Sequence, residues 1–111
     1  MQVNIKGTNL KLTQAIKDYA QAKVDKLEKF LGPIKIINAD LELELTSKHH
    51  NKGEIFRAEI NLELPYELLR IEKTEKDLYK AIDKIESHMA MLLKKYKEKR
   101  IDKRKRAWNY N

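Results

Sequence analysis

The alternation of apolar and polar residues divides the chain into six segments. Val3 and Ile5 alternate with Gln2, Asn4 and Lys6, the two-residue period of a short strand with one covered face. Gly7-Thr8-Asn9 reads as a turn. After an N-cap at Thr13, the residues Ile16, Tyr19, Ala20, Val24, Leu27 and Phe30 or Leu31 recur at helical spacing, and Gly32-Pro33 stops that helix. Ile37, Ala39, Leu41, Leu43 and Leu45 then alternate with Asn38, Asp40, Glu42, Glu44 and Thr46. Phe56, Ala58, Ile60, Leu62 and Leu64 alternate with Arg57, Glu59, Asn61 and Glu63. These two strands, joined through the polar stretch Ser47 to Gly53, predict a hairpin that Pro65 ends. Leu68 to Glu72 reads as a weaker fourth strand. Thr74-x-x-Asp77 predicts a helix start, with Asp in place of the usual Glu of a capping box. Beyond it Leu78, Ile82, Ile85, Met89, Leu92 and Tyr96 step by 4, 3, 4, 3 and 4, one apolar seam on a long helix.

The order is therefore β-α-β-β-β-α. Two one-sided helices and a mostly antiparallel four-stranded sheet predict a two-layer α+β sandwich, with both helices on one sheet face and the other face wet. A chain of 111 residues suits one domain. Residues 1–105 are expected to form it, and residues 106–111 to be a flexible C-terminal tail. With no cysteine, disulfides and thiolate chemistry are excluded. The opening Met1-Gln2-Val3-Asn4-Ile5 lacks the layout of a signal peptide, and no apolar run approaches the roughly 20 residues of a membrane span. A cytoplasmic protein is expected.

Charge changes the picture more than composition does. The net charge is +7. Residues 94–106 carry Lys94, Lys95, Lys97, Lys99, Arg100, Lys103, Arg104, Lys105 and Arg106 against Glu98 and Asp102, and so hold the whole surplus. The rest has 15 basic and 15 acidic residues. The apolar seam ends near Tyr96, so the last helix is expected to be anchored up to that point and to project charge beyond it. Such a cluster suits a polyanion.

Catalytic signals are weak. Ser47 and Ser87 are the only serines and neither lies in a nucleophile elbow; the three glycines are isolated, and the carboxylates fall mostly on solvent positions of strands or beside lysines. No enzyme, cofactor, metal or small-molecule substrate is expected. His49-His50 are adjacent in a loop with no third ligand, and His88 lies one step from the apolar seam, as a boundary residue or an RNA contact. For nucleic acid, the outer face of the hairpin carries Asp40, Glu42, Glu44, Glu59 and Glu63, which repel phosphate and include no aromatic for base stacking. RNA is therefore expected on the helical side, through Lys17, Lys23, Lys26 and Lys29 of the first helix and Lys80, Lys84, His88, Lys95 and Lys99 of the last. Lysine and arginine contacts of this kind recognise phosphate and shape. An anionic membrane is disfavoured, because only Trp108 and Tyr110, in the tail, offer the apolar anchors it needs.

Several stretches carry a resemblance. Met1-Gln2-Val3-Asn4-Ile5-Lys6-Gly7-Thr8-Asn9, Thr13-Gln14-Ala15-Ile16-Lys17-Asp18-Tyr19, Lys23-Val24-Asp25-Lys26-Leu27-Glu28-Lys29-Phe30, Glu75-Lys76-Asp77-Leu78-Tyr79-Lys80-Ala81-Ile82-Asp83 and Leu93-Lys94-Lys95-Tyr96-Lys97 follow in an order that resembles the ribosome hibernation promoting factors. That family is also called ribosome-associated inhibitors or sigma-54 modulation proteins. The resemblance covers residues 1 to about 105. It implies a β-α-β-β-β-α fold like a double-stranded-RNA-binding domain with an added strand. It implies a partner, the small ribosomal subunit with its rRNA and neighbouring ribosomal proteins, bound as a monomer where mRNA and tRNA occupy the A and P sites. Translation would be blocked by occupancy, without chemistry. Carried over by position, the contacts are Lys23, Lys26, Lys29, Lys84, Lys94, Lys95, Lys97 and Arg100. With the charge cluster, Lys99, Lys103, Arg104 and the boundary residue His88 join the set. Two features depart from the family: the acidic central strands, and a 69–74 stretch and Arg-rich end that look more like the long form, which continues into a ribosome-pairing domain. The chain is thus expected to be a short form or an N-terminal domain. A general structured-RNA binder and a protein-interaction module using the acidic sheet face are the other readings.

Overall fold

The computed structural model describes the backbone of residues 1–46 and 53–109 and the side chains among these up to Arg100. The elements are β1 (Gln2–Thr8), α1 (Gln14–Leu31), β2 (Asn38–Thr46), β3 (Ile55–Leu64), β4 (Glu67–Glu75) and α2 (Leu78–Asn109). The sheet order is β1-β2-β3-β4. It is mixed: β1 pairs with β2 in parallel, whereas β2–β3 and β3–β4 are antiparallel. A parallel pair needs a crossover, and α1 supplies it. His49-His50 lie outside the described residues.

The period-two pattern is what splits the sheet into two faces. Ala39, Leu41, Leu43, Ala58, Ile60, Leu62, Leu64 and Ile71 are buried on the inner face beneath both helices. At roughly 1.5–3 kcal/mol for each fully buried large aliphatic side chain, this layer is the main source of stability. Ile37, expected in the core, is 50% exposed; Ile36, at 1%, takes its place. The strand begins only at Asn38, so the alternation does not yet govern the residue before it.

The helix ends follow local chemistry. Thr13 caps α1, its hydroxyl accepting from the Ile16 N–H at 3.2 Å. Gly32 closes α1 at φ 61°, a left-handed conformation that glycine enters without strain. The inner stripe resolves to Leu31, and Phe30 is left 41% exposed. The start of α2 corrects one expectation. Thr74 belongs to β4, and the Asp77 carboxylate instead accepts from the Tyr79 N–H at 2.8 Å and the Lys80 N–H at 3.4 Å. The fourth strand outruns its apolar signal because its pairing with β3 continues to Phe56↔Glu75. The α2 seam buries Leu78, Ala81, Ile82, Ile85, Met89, Leu93 and Tyr96; Leu92 sits at its edge, half-buried. From Tyr96 the helix backbone runs 13 residues further to Asn109, about 20 Å at 1.5 Å per residue.

Gly7 marks a tight crossing. A Cβ there would stand 2.7 Å from the Leu10 carbonyl oxygen and 2.9 Å from Leu12 Cγ, where the chain leaving β1 folds back over the strand. The obstacle is partly backbone, so it cannot swing aside. Gly7→Ala is expected to cost about 1–3 kcal/mol, read as a lower urea midpoint with an unchanged slope.

Candidate nucleic-acid interface

The two helices lie side by side and run parallel. Early α1 residues meet early α2 residues, and late ones meet late ones. The Tyr19 hydroxyl donates to Asp83 at 2.5 Å, Lys23 pairs with Asp83 at 3.2 Å, and Lys26 pairs with Glu86 at 3.4 Å. Further along, the Lys97 ammonium donates to the Phe30 carbonyl at 3.2 Å and stands 5.3 Å from the Phe30 ring centroid. Phe30 lies in the last turn of α1, where carbonyls lack intrahelical partners, so Lys97 acts as a C-terminal cap on the neighbouring helix. Tyr19 and Tyr79 pack edge to face at 4.8 Å and close the N-terminal end of this seam.

These contacts sort the candidate residues. Lys23 and Lys97 are held in the seam between the helices, whereas Lys26 reaches Glu86 from the surface with its side chain 72% exposed. Lys84 lies on the other flank of α2 and pairs with Glu75 of β4. Its steps to His88, Lys95 and Lys99 are 4, 7 and 4, which sets all four in one stripe on the side away from α1. Lys94, Lys95 and Lys99 are exposed, as is Lys29 on the last turn of α1, while His88 is half-buried. Among the described residues these five form no hydrogen bond or ion pair through their side chains. Arg100 is half-buried and donates to the Tyr96 hydroxyl at 3.0 Å. The side chains of Lys103 and Arg104 lie outside the described residues.

The opposite side of the molecule has the other sign. On the open sheet face Lys6, Arg57 and Arg70 stand against Asp40, Glu42, Glu44, Glu59, Glu63 and Glu72. The register puts Lys6, Glu42, Glu59 and Glu72 in one row across all four strands. Three adjacent carboxylates repel unless a cation sits among them. Arg57 fills that role, bonding Glu44 and Glu42 at 2.6 Å each and reaching Glu72 at 3.4 Å and Glu59 at 3.8 Å. Arg70 bridges Glu59 and Glu72 at 2.6 and 2.7 Å. A hydrogen bond from Thr8, and then Arg57, hold the Glu42 carboxyl below the usual carboxylate range. Sequence reasoning saw the acidic face but not the arginine that organises it, because the partners come from three strands.

The chain matches the family described as Sigma 54 modulation protein / S30EA ribosomal protein over residues 3–101. It belongs to that family. Ribosome hibernation promotion factors from Lactococcus lactis and Bacillus subtilis are 30% and 31% identical to it over 97 and 99 residues, 87% and 89% of this chain. Each match covers 50% of the relative, so the chain spans about half the length of these curated relatives. Among solved structures, the N-terminal domain of Thermus thermophilus Protein Y is similar with a TM-score of 0.75 and 32% identity, covering 86% of this chain and 99% of that one. A ribosomal subunit interface protein from Coxiella burnetii shares the fold, with a TM-score of 0.74 at 17% identity, covering 88% of this chain and 99% of that one. No helix among the described residues is long and apolar enough to cross a membrane.

Within this family domain, Asp83 and Glu86 are the residues that sequence reasoning passed over. Tyr19, Lys23 and Lys26 step by 4 and 3, and Tyr79, Asp83 and Glu86 do the same. That matched spacing is the signal of two helices in register. Glu86 is 7% exposed, and its charge is tolerated because Lys26 meets it. The Tyr19 hydroxyl, and then Lys23, hold the Asp83 carboxyl below the usual carboxylate range. Asp83 therefore stays ionised in the folded protein at a pH where the unfolded chain has already taken up a proton. Its contribution is complete above the unfolded value of about 3.9 and is lost as pH falls through the lower folded value. Asp83→Asn is expected to flatten the fall of the urea midpoint below about pH 4, leaving the residual slope of Glu42 and of Glu75, whose carboxyl the hydrogen bond from Lys84 also holds below the usual range. An unchanged acid limb would remove Asp83 from the account.

Proposed function

We propose that this domain is a ribosome hibernation factor. It binds the small ribosomal subunit at the decoding region through its helical side, excludes mRNA and tRNA from the A and P sites, and silences translation by occupancy. The observation that carries the reading is the distribution of uncommitted charge. Lys29, Lys94, Lys95 and Lys99 are exposed on the helices, while the open sheet face is net negative. Phosphate is attracted from one side and repelled from the other. The relatives named as ribosome hibernation promotion factors support the choice of the ribosome as the RNA. The lysine contacts act on backbone phosphates, so recognition is by shape and position. The chain's part is to bind and obstruct, and no step needs a proton transfer or a nucleophile.

The structure guides the choice of variants. Lys97 caps α1 and Arg100 is bound to Tyr96, so reversing either disturbs the fold as well as the charge. Lys94, Lys95 and Lys99 carry no such duty among the described residues. Wild-type protein is expected to co-sediment with small subunits at low salt and to be released at high salt. The Lys94→Glu, Lys95→Glu, Lys99→Glu triple variant is expected to remain in the free fraction at low salt with an unchanged urea midpoint. The corresponding triple alanine variant should reduce the slope of log affinity against log salt by about one per lysine removed. Bulk duplex RNA in excess should not displace the wild type. Displacement would favour a general structured-RNA binder, and full binding by the charge-reversed variant would refute the interface.

A further inference from the structure

The β3–β4 hairpin turns in two residues, Pro65 and Tyr66, since Leu64 pairs with Glu67. Tyr66 has φ 69°. The second position of such a turn calls for a positive φ, which glycine or asparagine adopts at little cost and a tyrosine adopts with strain. Burial does not repay that strain, because Tyr66 is 99% exposed. A strained residue whose ring contributes no packing points to a use outside the fold.

Its surroundings say which use. The Tyr96 hydroxyl donates to the Pro65 carbonyl at 2.8 Å and ties the turn to α2 where the apolar seam ends. Arg100, which donates to that same hydroxyl, stands 5.9 Å from the Tyr66 ring centroid and 5.5 Å from that of Tyr96. The guanidinium stands over the Tyr66 ring only at the outer limit of a cation–π contact, and with the residue 99% exposed the ring remains open to solvent. An open aromatic face beside an arginine, one residue along from Lys99, combines the two elements that hold single-stranded RNA: a ring for the base and cations for its phosphate.

We propose that Tyr66 stacks on an unpaired nucleobase of the RNA whose phosphates are held by the exposed lysines of α2. The inference rests on the reading of the helical side as RNA-binding. It adds a contact with a base, from a sheet turn, to an interface otherwise made of charge.

The test uses the full chain and purified small ribosomal subunits. Tyr66→Gly relieves the strained turn, so it should fold at least as stably as wild type by thermal melting, yet bind subunits roughly tenfold more weakly, the loss of one stacked base. Its salt slope should match the wild type, because no cation is removed. Tyr66→Phe and Tyr66→Trp should bind as wild type, whereas Tyr66→Leu should lose as much as glycine. Wild-type affinity in Tyr66→Gly, or leucine serving as well as phenylalanine, overturns the stack; the latter would mark an apolar contact with a protein. Either result leaves the lysine interface standing if the charge-reversed triple variant still fails to bind. Wild-type protein that ignores small subunits at low salt overturns both readings together.

Discussion

Two helices can cover only one face of a four-stranded sheet, and this constraint governs the distribution of everything else. The apolar positions of the strands are committed to the covered face, so the other face must remain soluble in water. It does so with charge, and the register lines up three carboxylates across neighbouring strands. Arg57 makes that row tolerable. Its own pKa is raised, first by the hydrogen bond to Glu44, so it is a permanent cation in the middle of the sheet. The negative face is therefore structured and held internally, and its remaining field disfavours phosphate. The cations have only the helical layer and its extension in which to act.

That layer does not hold a uniform set of lysines. Lys23 and Lys26 already face carboxylates across the seam, and Lys97 satisfies a helix end. For Lys23 or Lys26 to take a phosphate, the residue must exchange or share its partner, and the gain is the difference between two anions. Lys94, Lys95 and Lys99 give up only water and counterions. The domain thus separates Lys23 and Lys97, engaged between the helices, from lysines whose charge is open to solvent.

Much of this was legible from residue order alone. Strict alternation in 38–46 and 55–64 gave two strands and named the inner face, because one-sided burial imposes a period of two. The 4, 3, 4, 3 stepping after Leu78 gave the long helix. What failed had local causes. Thr74 resembled a cap, yet sheet pairing extended past it and left Asp77 to do the work. Ile37 fell in phase with a strand that had not yet begun. The parallel pairing of β1 leaves no mark in its own seven residues. The site was less legible, because charge counts do not tell which lysines have partners. Asp83 and Glu86 read as ordinary surface acids until α1 lay beside α2. Tyr66 carried no apolar pattern at all, and only its backbone angle and exposure set it apart.

The strands stand in the sheet in the order in which they occur in the chain. Every ladder therefore joins consecutive strands, with α1 as the crossover between β1 and β2 and the two-residue turn Pro65-Tyr66 joining β3 to β4. The β3–β4 ladder closes over a short loop, whereas the parallel β1–β2 ladder joins residues 36 apart, such as Gln2 and Asn38, and costs more loop-closure entropy. The longest of these closures is the seam between α1 and α2, whose partners are some sixty residues apart. It closes only when the last helix arrives. Lys23 and Lys26 therefore meet their carboxylates only when residues some sixty positions further along the chain are in place, and the arrangement of charge on the helical side depends on the whole domain.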